Sequence, residues 1–369
     1  MKSIVLKTHA NVSALCGIFA ASLLSLAGGP ALAQRNNLLP LPPPAVSTIP
    51  ANGDVNPYGV AFVPRTVPSG GVLEPGDILV SNFNNAQNLQ GTGTTIIKVS
   101  PNGQTSLFFE GQPPLGLTAA LGILPNGMVL VGNLPTADGT SATAKQGSLL
   151  VIDRFGHLLG ALTDQFINGP WGMAIHNVND RAAQIFVSNV LSGTISRFDA
   201  VFDRDGDTMV IEQQVTVASG FHFRGDPAAL ELGPSGLAYD AEHDILYAAS
   251  SLDNAVFAIA GAGRTQSSLG TGTMLFQDLV HLHGPLDLLL LPNGHFLIAN
   301  SDGSNADPNQ PSELTEYSRA GEFLAQYSVD PNNGGAFGVG VSPIGSGAVR
   351  VAAVDDNANT LQLWTTVIQ

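Results

Sequence analysis

The chain carries 29 acidic and 14 basic side chains among 369 residues, for a formal charge of −15 and a pI near 4.7. An acidic surface with no basic cluster repels a phosphate backbone, which excludes nucleic acid as a partner. The single cysteine, Cys16, excludes a disulfide framework, so the fold must be held by packing.

Residues 1–33 join Lys2 and Lys7, the apolar run "ALCGIFAASLLSLAGG" and "ALA" ahead of Gln34, the three-part pattern of a secretory signal peptide cleaved after Ala33. Export to the periplasm or medium is expected, and Cys16 leaves with the leader. No later run approaches the roughly 20 apolar residues of a transmembrane helix, so no span is expected, and the protein reads as a monomer. Residues 34–55 begin as a proline-rich spacer, with Pro40, Pro42, Pro43 and Pro44 favouring an extended chain.

From Asn56 on, Gly, Asn, Asp and Pro clusters punctuate short runs of Val, Ile, Leu, Phe and Ala, as many short antiparallel strands require. First strands begin near Tyr58, Leu117, Trp171, Gly236, Leu286 and Phe337, at steps of 59, 54, 65, 50 and 51 residues. Each is followed, after a turn, by a second strand: "DILVSN" ending at Asn82, "MVLVGN" at Asn133, "QIFVSN" at Asn189, "ILYAAS" at Ser250, "HFLIAN" at Asn300 and "VRVAAVD" at Asp355. Third strands read as "TIIKVS", "SLLVID", "TISRFD", "AVFAIA", "LTEYSR" and "LQLWTT". Only "LGLTAALGIL" has a helical aspect.

A repeat of about 50 residues with four short strands cannot bury both sheet faces alone, so several must pack around an axis. The expected fold is therefore an all-β, six-bladed propeller of four-stranded antiparallel blades over residues 56–369. The last unit stops at "LQLWTTVIQ", too early for a fourth strand, and part of Ala45 to Val55 is expected to supply it. A two-sheet sandwich does not need six like units, and a β-helix repeats at a shorter period.

The phrases "GPSGLAYD" with "ILYAAS", and "NGHFLIAN" with "SELTEYSRAGEFL", resemble NHL-type repeats; the ending recurs in "VSPNGQTSLF" and "VIDRFGHLLG". The resemblance spans Asn56 to about Trp364 and implies a six-bladed propeller. It fixes no single activity, since relatives include protein-binding modules, lyases and, more distantly, gluconolactonase- and regucalcin-like metal enzymes. Those enzymes hold a divalent cation with one Glu, two Asn and one Asp, a set that Asn189, Asn300 and Asp355 would supply in part. The chain departs from them twice: no Glu opens the first blade, and Ser235 stands where an Asn is usual.

In such a blade the first strand starts, and the second ends, at one mouth. Asn82, Asn133, Asn189, Ser250, Asn300 and Asp355 would ring it, with Trp171 and Asp287 at the starts of two first strands. Asn at a strand end also simply caps turns. His222, His281 and His283 lie in the approaches to the fourth and fifth units and are the candidate acid–base or metal-binding side chains. Asp203, Asp205 and Asp207 alternate as in a calcium loop, although Thr208 replaces the usual Gly and strands flank them; an acidic hairpin explains them equally well. The loop Ser301 to Glu313 is larger than a hairpin needs.

These features favour an exported binding module that presents its mouth to a protein, peptide or saccharide. The alternative is a divalent-cation-dependent hydrolase, lactonase-like, or a lyase at the same mouth, with calcium as the candidate ion.

Overall fold

The computed structural model describes residues 38–40, 43–301, 313–332, 334–345 and 347–368. The leader and most of the long Ser301 to Glu313 loop lie outside the described residues. Among those described, strand β1 (Val46–Ser47) precedes a first sheet of β2 (Val55–Phe62), β3 (Ile78–Asn84), β4 (Thr95–Val99) and β5 (Thr105–Glu110). A second sheet holds β6 (Leu117–Ile123), β7 (Val129–Asn133), β8 (Ser148–Ile152) and β9 (Leu158–Leu162), with a 3-10 turn, η1 (Ser141–Thr143), between β7 and β8. The third contains β10 (Pro170–Asn179), β11 (Ala182–Asn189), β12 (Thr194–Phe202) and β13 (Met209–Ser219). A separate two-stranded hairpin, β14 (Arg224–Asp226) and β15 (Leu230–Leu232), follows. The fourth sheet is β16 (Pro234–Asp240), β17 (Ile245–Ser250), β18 (Ala255–Ala260) and β19 (Thr273–Gln277). The fifth is β20 (Pro285–Leu290), β21 (Phe296–Asn300), β22 (Glu313–Tyr317) and β23 (Phe323–Ser328). The last joins β24 (Ala336–Gly345), β25 (Ala348–Asp355) and β26 (Thr360–Val367) to β1, with Val46 opposite Leu361. The stretch with a helical aspect is strand β6.

Burial follows from the packing of sheet on sheet. Inner strands such as β3 and β7 are buried along their whole length and open on apolar runs, whereas the rim strand β9 is mostly exposed. Each seam holds its own apolar cluster. Leu121, Val131 and Leu79 fill the seam between the first and second sheets, and Val351, Trp364 and Leu297 that between the fifth and last. Val80 and Val354 lie together between the last sheet and the first. The first strands of successive sheets also pack side by side, and β24 packs on β2.

That crowding explains the small residues at the first strands. Every first strand loses register with its partner near its start, as between Pro57 and Val60 or between Ala336 and Val339. A Cβ on Gly338 would stand 1.8 Å from the Tyr58 carbonyl oxygen, and one on Gly172 would stand 2.2 Å from that of Ser235. Hydroxyls stitch the same crossings: Ser81 donates to the Thr118 carbonyl (2.8 Å), and Ser235 to that of Pro285 (2.7 Å).

The segment read as a spacer is docked where it is described. Leu38 and Leu39 are 6% and 3% exposed, within the cluster between the fifth and last sheets. The Leu38 N–H donates to the Tyr327 hydroxyl (3.1 Å), and Trp364 Nε1 donates to the Pro40 carbonyl (3.2 Å). Two adjacent leucines have more to gain in an apolar seam than in water, and this outweighs the extending effect of the prolines.

Candidate functional site

The strand-end asparagines work as clamps. Asn133 sits opposite Leu117, where it accepts the Gly116 N–H (2.8 Å) and donates to Ser148 Oγ (3.1 Å). One amide therefore ties the start of the first strand, the end of the second and the start of the third. Asn189 repeats the device, accepting from the Asn168 N–H (2.9 Å) and donating to the Phe166 carbonyl (3.1 Å) and Ser196 Oγ (3.1 Å). Asn300 accepts the His283 N–H (3.1 Å) and donates to the His281 carbonyl (2.7 Å) and Glu313 Oε1 (3.2 Å). Asn82 donates to the Thr48 carbonyl (3.1 Å) and Thr95 Oγ1 (3.2 Å), while Ser250 donates to Asp253 (2.7 Å). Asp355 accepts the Ala358 N–H (3.3 Å). All six are buried.

These bonds bear on the cation set. The side-chain oxygens of Asn189 and Asn300 each already accept a backbone N–H, and Asp355 accepts that of Ala358, so all three candidate ligands serve the turns of their own sheets. Asp203, Asp205 and Asp207 do not converge either. Asp203 Oδ1 accepts the N–H groups of Gly206 (3.0 Å), Asp207 (3.0 Å) and Thr208 (3.2 Å) and so closes a hairpin turn. Among the described residues no group of three His, Cys, Asp or Glu is placed to hold a metal ion.

The histidines disperse. His281 stacks flat on Phe323 of the rim strand β23, at 3.7 Å between centroids, and its Nδ1 meets Asp278 (2.7 Å). His283 is buried, with Nε2 at 3.1 Å from the Val280 carbonyl. His222 is exposed and paired with Asp253 (2.8 Å), a bond and charge that raise its pKa. Asp287 crosses from β20 to β24, accepting the Val339 N–H (2.9 Å); desolvation pushes its carboxyl up to about 6. Trp171 is fully buried, edge-on to Tyr58 and Phe83 at 5.7 and 5.4 Å, and forms part of the axial plug rather than a stacking surface.

The cavity lies one residue further along. A space of about 290 Å³ is lined by Ser251, Ser301 and Asp356, each the neighbour of a residue read as facing the mouth, together with Asn56, Asn84 and Tyr58. Successive side chains in extended chain point to opposite sides, so a clamp at one position puts its neighbour at the opening. In the second and third sheets the equivalent neighbours, Leu134 and Val190, are fully buried in the cluster that holds Trp171, which makes the opening lopsided.

Hairpin β14–β15 covers part of this opening. Its Ala228 carbonyl accepts from Gln90 Nε2 (3.0 Å) and its Glu231 carboxylate from the Ser141 hydroxyl of η1, which fixes it to loops of the first and second sheets. Leu230 is held at φ 61°, a strained angle for a leucine, with its side chain fully buried in the axial cluster. Sequence reasoning missed this element because it pairs only with itself. The longest repeat step, between Trp171 and Gly236, was its one trace.

The cavity wall is acidic. Glu231 and Asp356 line it, and among the described residues no Lys, Arg or His does. Burial, then the neighbouring Asp355, push Asp356 up to about 7; burial also raises Glu231. Burial and the Asp356 charge hold the Tyr58 phenol above its ordinary range. Asn56, 6% exposed and at φ 62°, has a buried side-chain oxygen with no hydrogen-bond partner among the described residues. Neither it nor Asp356 was a candidate in the sequence.

No protein-family model matches the chain, and no curated protein matches it. Among solved structures, a gluconolactonase from Xanthomonas campestris is similar over 89% of this chain and 99% of its own, at 11% identity and a TM-score of 0.50. A calcium-binding regucalcin from Agrobacterium tumefaciens matches over 88% and 95%, at 14% identity and a TM-score of 0.49. The chain is thus distantly similar to gluconolactonase- and regucalcin-like propellers, and at these identities the likeness is one of fold.

Proposed function

We propose that this chain is an exported binding protein: a six-bladed propeller, closed by β1 on β26, that holds a small ligand in the mouth cavity under hairpin β14–β15. The observation that carries this reading is the acidic cavity itself, whose Asp356 carboxyl accepts no hydrogen bond among the described residues. Leaving such a group unpaired costs roughly 1–3 kcal/mol, and a ligand that hydrogen-bonds it offsets that cost. The hairpin adds enclosure that the ring itself does not need. The cation-dependent hydrolase reading finds less support, because its candidate ligands are engaged in the clamps.

Thermal melts of the mature chain against a panel of sugars, amines, organic acids and nucleosides test the reading. At least one compound should raise Tm by several degrees, and Ser251→Phe, which fills the cavity, should abolish the shift. A panel without effect, or a shift that survives in the filled variant, overturns it. N-terminal sequencing of the exported product should read from Gln34.

A further inference from the structure

The geometry points to a small organic cation, an amine protonated at neutral pH, as the class of ligand the mouth cavity takes; this rests on the reading of the mouth as a binding site. Three observations converge. The cavity presents two carboxyl groups, Glu231 and Asp356, and no cationic side chain among the described residues that line it. Elsewhere several acids are paired with a basic side chain, Asp240 with Arg319 and Asp77 with Lys98 (3.4 Å), while Asp54 is satisfied by the hydroxyls of Thr94 and Thr95. Among the described residues that line the mouth, no basic side chain does this for Glu231 and Asp356.

The second observation is the aromatic lining. Tyr58 and Phe337, in edge-to-face contact at 4.9 Å, line the cavity with Leu286, and Tyr58 is stacked in turn on Phe83 at 4.7 Å. Ring faces attract cations through their quadrupole and give the ligand's carbon body an apolar surface. An anion would be repelled by both features. The third is the polar lining that Asn56, Asn84 and Ser251 add, amide and hydroxyl groups of the kind that accept an ammonium N–H. A bare divalent ion suits the site poorly, since hard cations take six or more oxygens and the apolar part of the lining supplies none. The chain's charge of −15 further concentrates cations around the opening.

Titration calorimetry on the mature chain separates the possibilities, with phenethylammonium and tetraethylammonium as cations, 2-phenylethanol as the neutral isostere, phenylacetate as the anion, and calcium chloride. Phenethylammonium should bind at least tenfold more tightly than 2-phenylethanol, weaken with added salt, and lose about tenfold in affinity in both Asp356→Asn and Glu231→Gln, each checked for an unchanged circular dichroism spectrum. Equal binding of alcohol or anion, competition by calcium at equimolar concentration, or affinity unchanged in both variants overturns the inference. If instead a sugar or phenylacetate binds and Ser251→Phe abolishes that binding, the cavity reading stands and the cation inference falls. If no probe binds, both fall.

Discussion

Asn300 and Ser301 are neighbours in the chain, yet one clamps three strands and the other lines the cavity. The same division separates Asp355 from Asp356, and there it has a consequence for pH. Asp355 and Asp356 sit at about 6 and about 7 in the folded chain, raised mainly by burial and then by Asp330 and Asp355 respectively. An unfolded aspartate releases its proton near pH 4. Between these values the native state binds more protons than the unfolded one, so stability falls as pH rises from about 4 to about 7 and then levels. Asp356→Asn removes its share of that loss. The variant should melt above the wild type at pH 8, by roughly 2–4 °C for each kcal/mol recovered, and level with it at pH 4. A melting series across that range checks the sign; an equal gain at both ends would mean that the carboxyl charge is not the cause.

At the scale of the element, the ends of the chain are fastened twice. The β1 pairing with β26 is supported by Thr48, which donates through both its N–H (3.0 Å) and its hydroxyl (2.9 Å) to the Asn359 carbonyl. The leucines upstream add a second anchor in the seam under Trp364. Removing one of them leaves a void that neighbours on two different sheets cannot jointly collapse into. Leu39→Ala should therefore cost about 2–5 kcal/mol in urea unfolding, with the N-terminal segment becoming the first site of proteolytic nicking. A loss under about 0.5 kcal/mol would show that the docking is incidental. The strands themselves were legible in the sequence because alternation and Pro-Asn-Gly turns are local signals. Gly103, Gly127 and Gly294 end three such turns at φ 82°, 88° and 84°, where a side chain would be strained. Hairpin β14–β15 was not legible, since its anchors are a hydroxyl from the second sheet and an amide from the first.

For the molecule as a whole, the proposed closure of the ring would remove slack. In an open stack of sheets a bulky residue at one seam is accommodated by spreading, whereas in a ring every seam resists. Gly338→Ala, whose Cβ would meet the Tyr58 carbonyl at 1.8 Å, should therefore lower Tm strongly or prevent soluble expression. Gly160→Ala in β9, where a Cβ meets nothing within 4 Å, is the matched control and should be neutral or slightly stabilising. Equal effects from the two substitutions would argue against a tight axis.

The amino-acid sequence alone determined the repeat, the order of strands within each sheet and the residues that end the second strands, save in the first sheet, where β3 runs past Asn82 to Asn84; each depends on neighbours a few positions away. It also marked the small residues of the first strands, since crowding at an axis leaves a compositional trace. The tertiary structure decided which side of the strand end faces the opening, that a hairpin from beyond the third sheet reaches loops of the first two, and that Glu231 and Asp356 meet one cavity without a cation. Those outcomes depend on a one-residue choice of face and on contacts between segments 90 and 138 residues apart, and no local pattern records either.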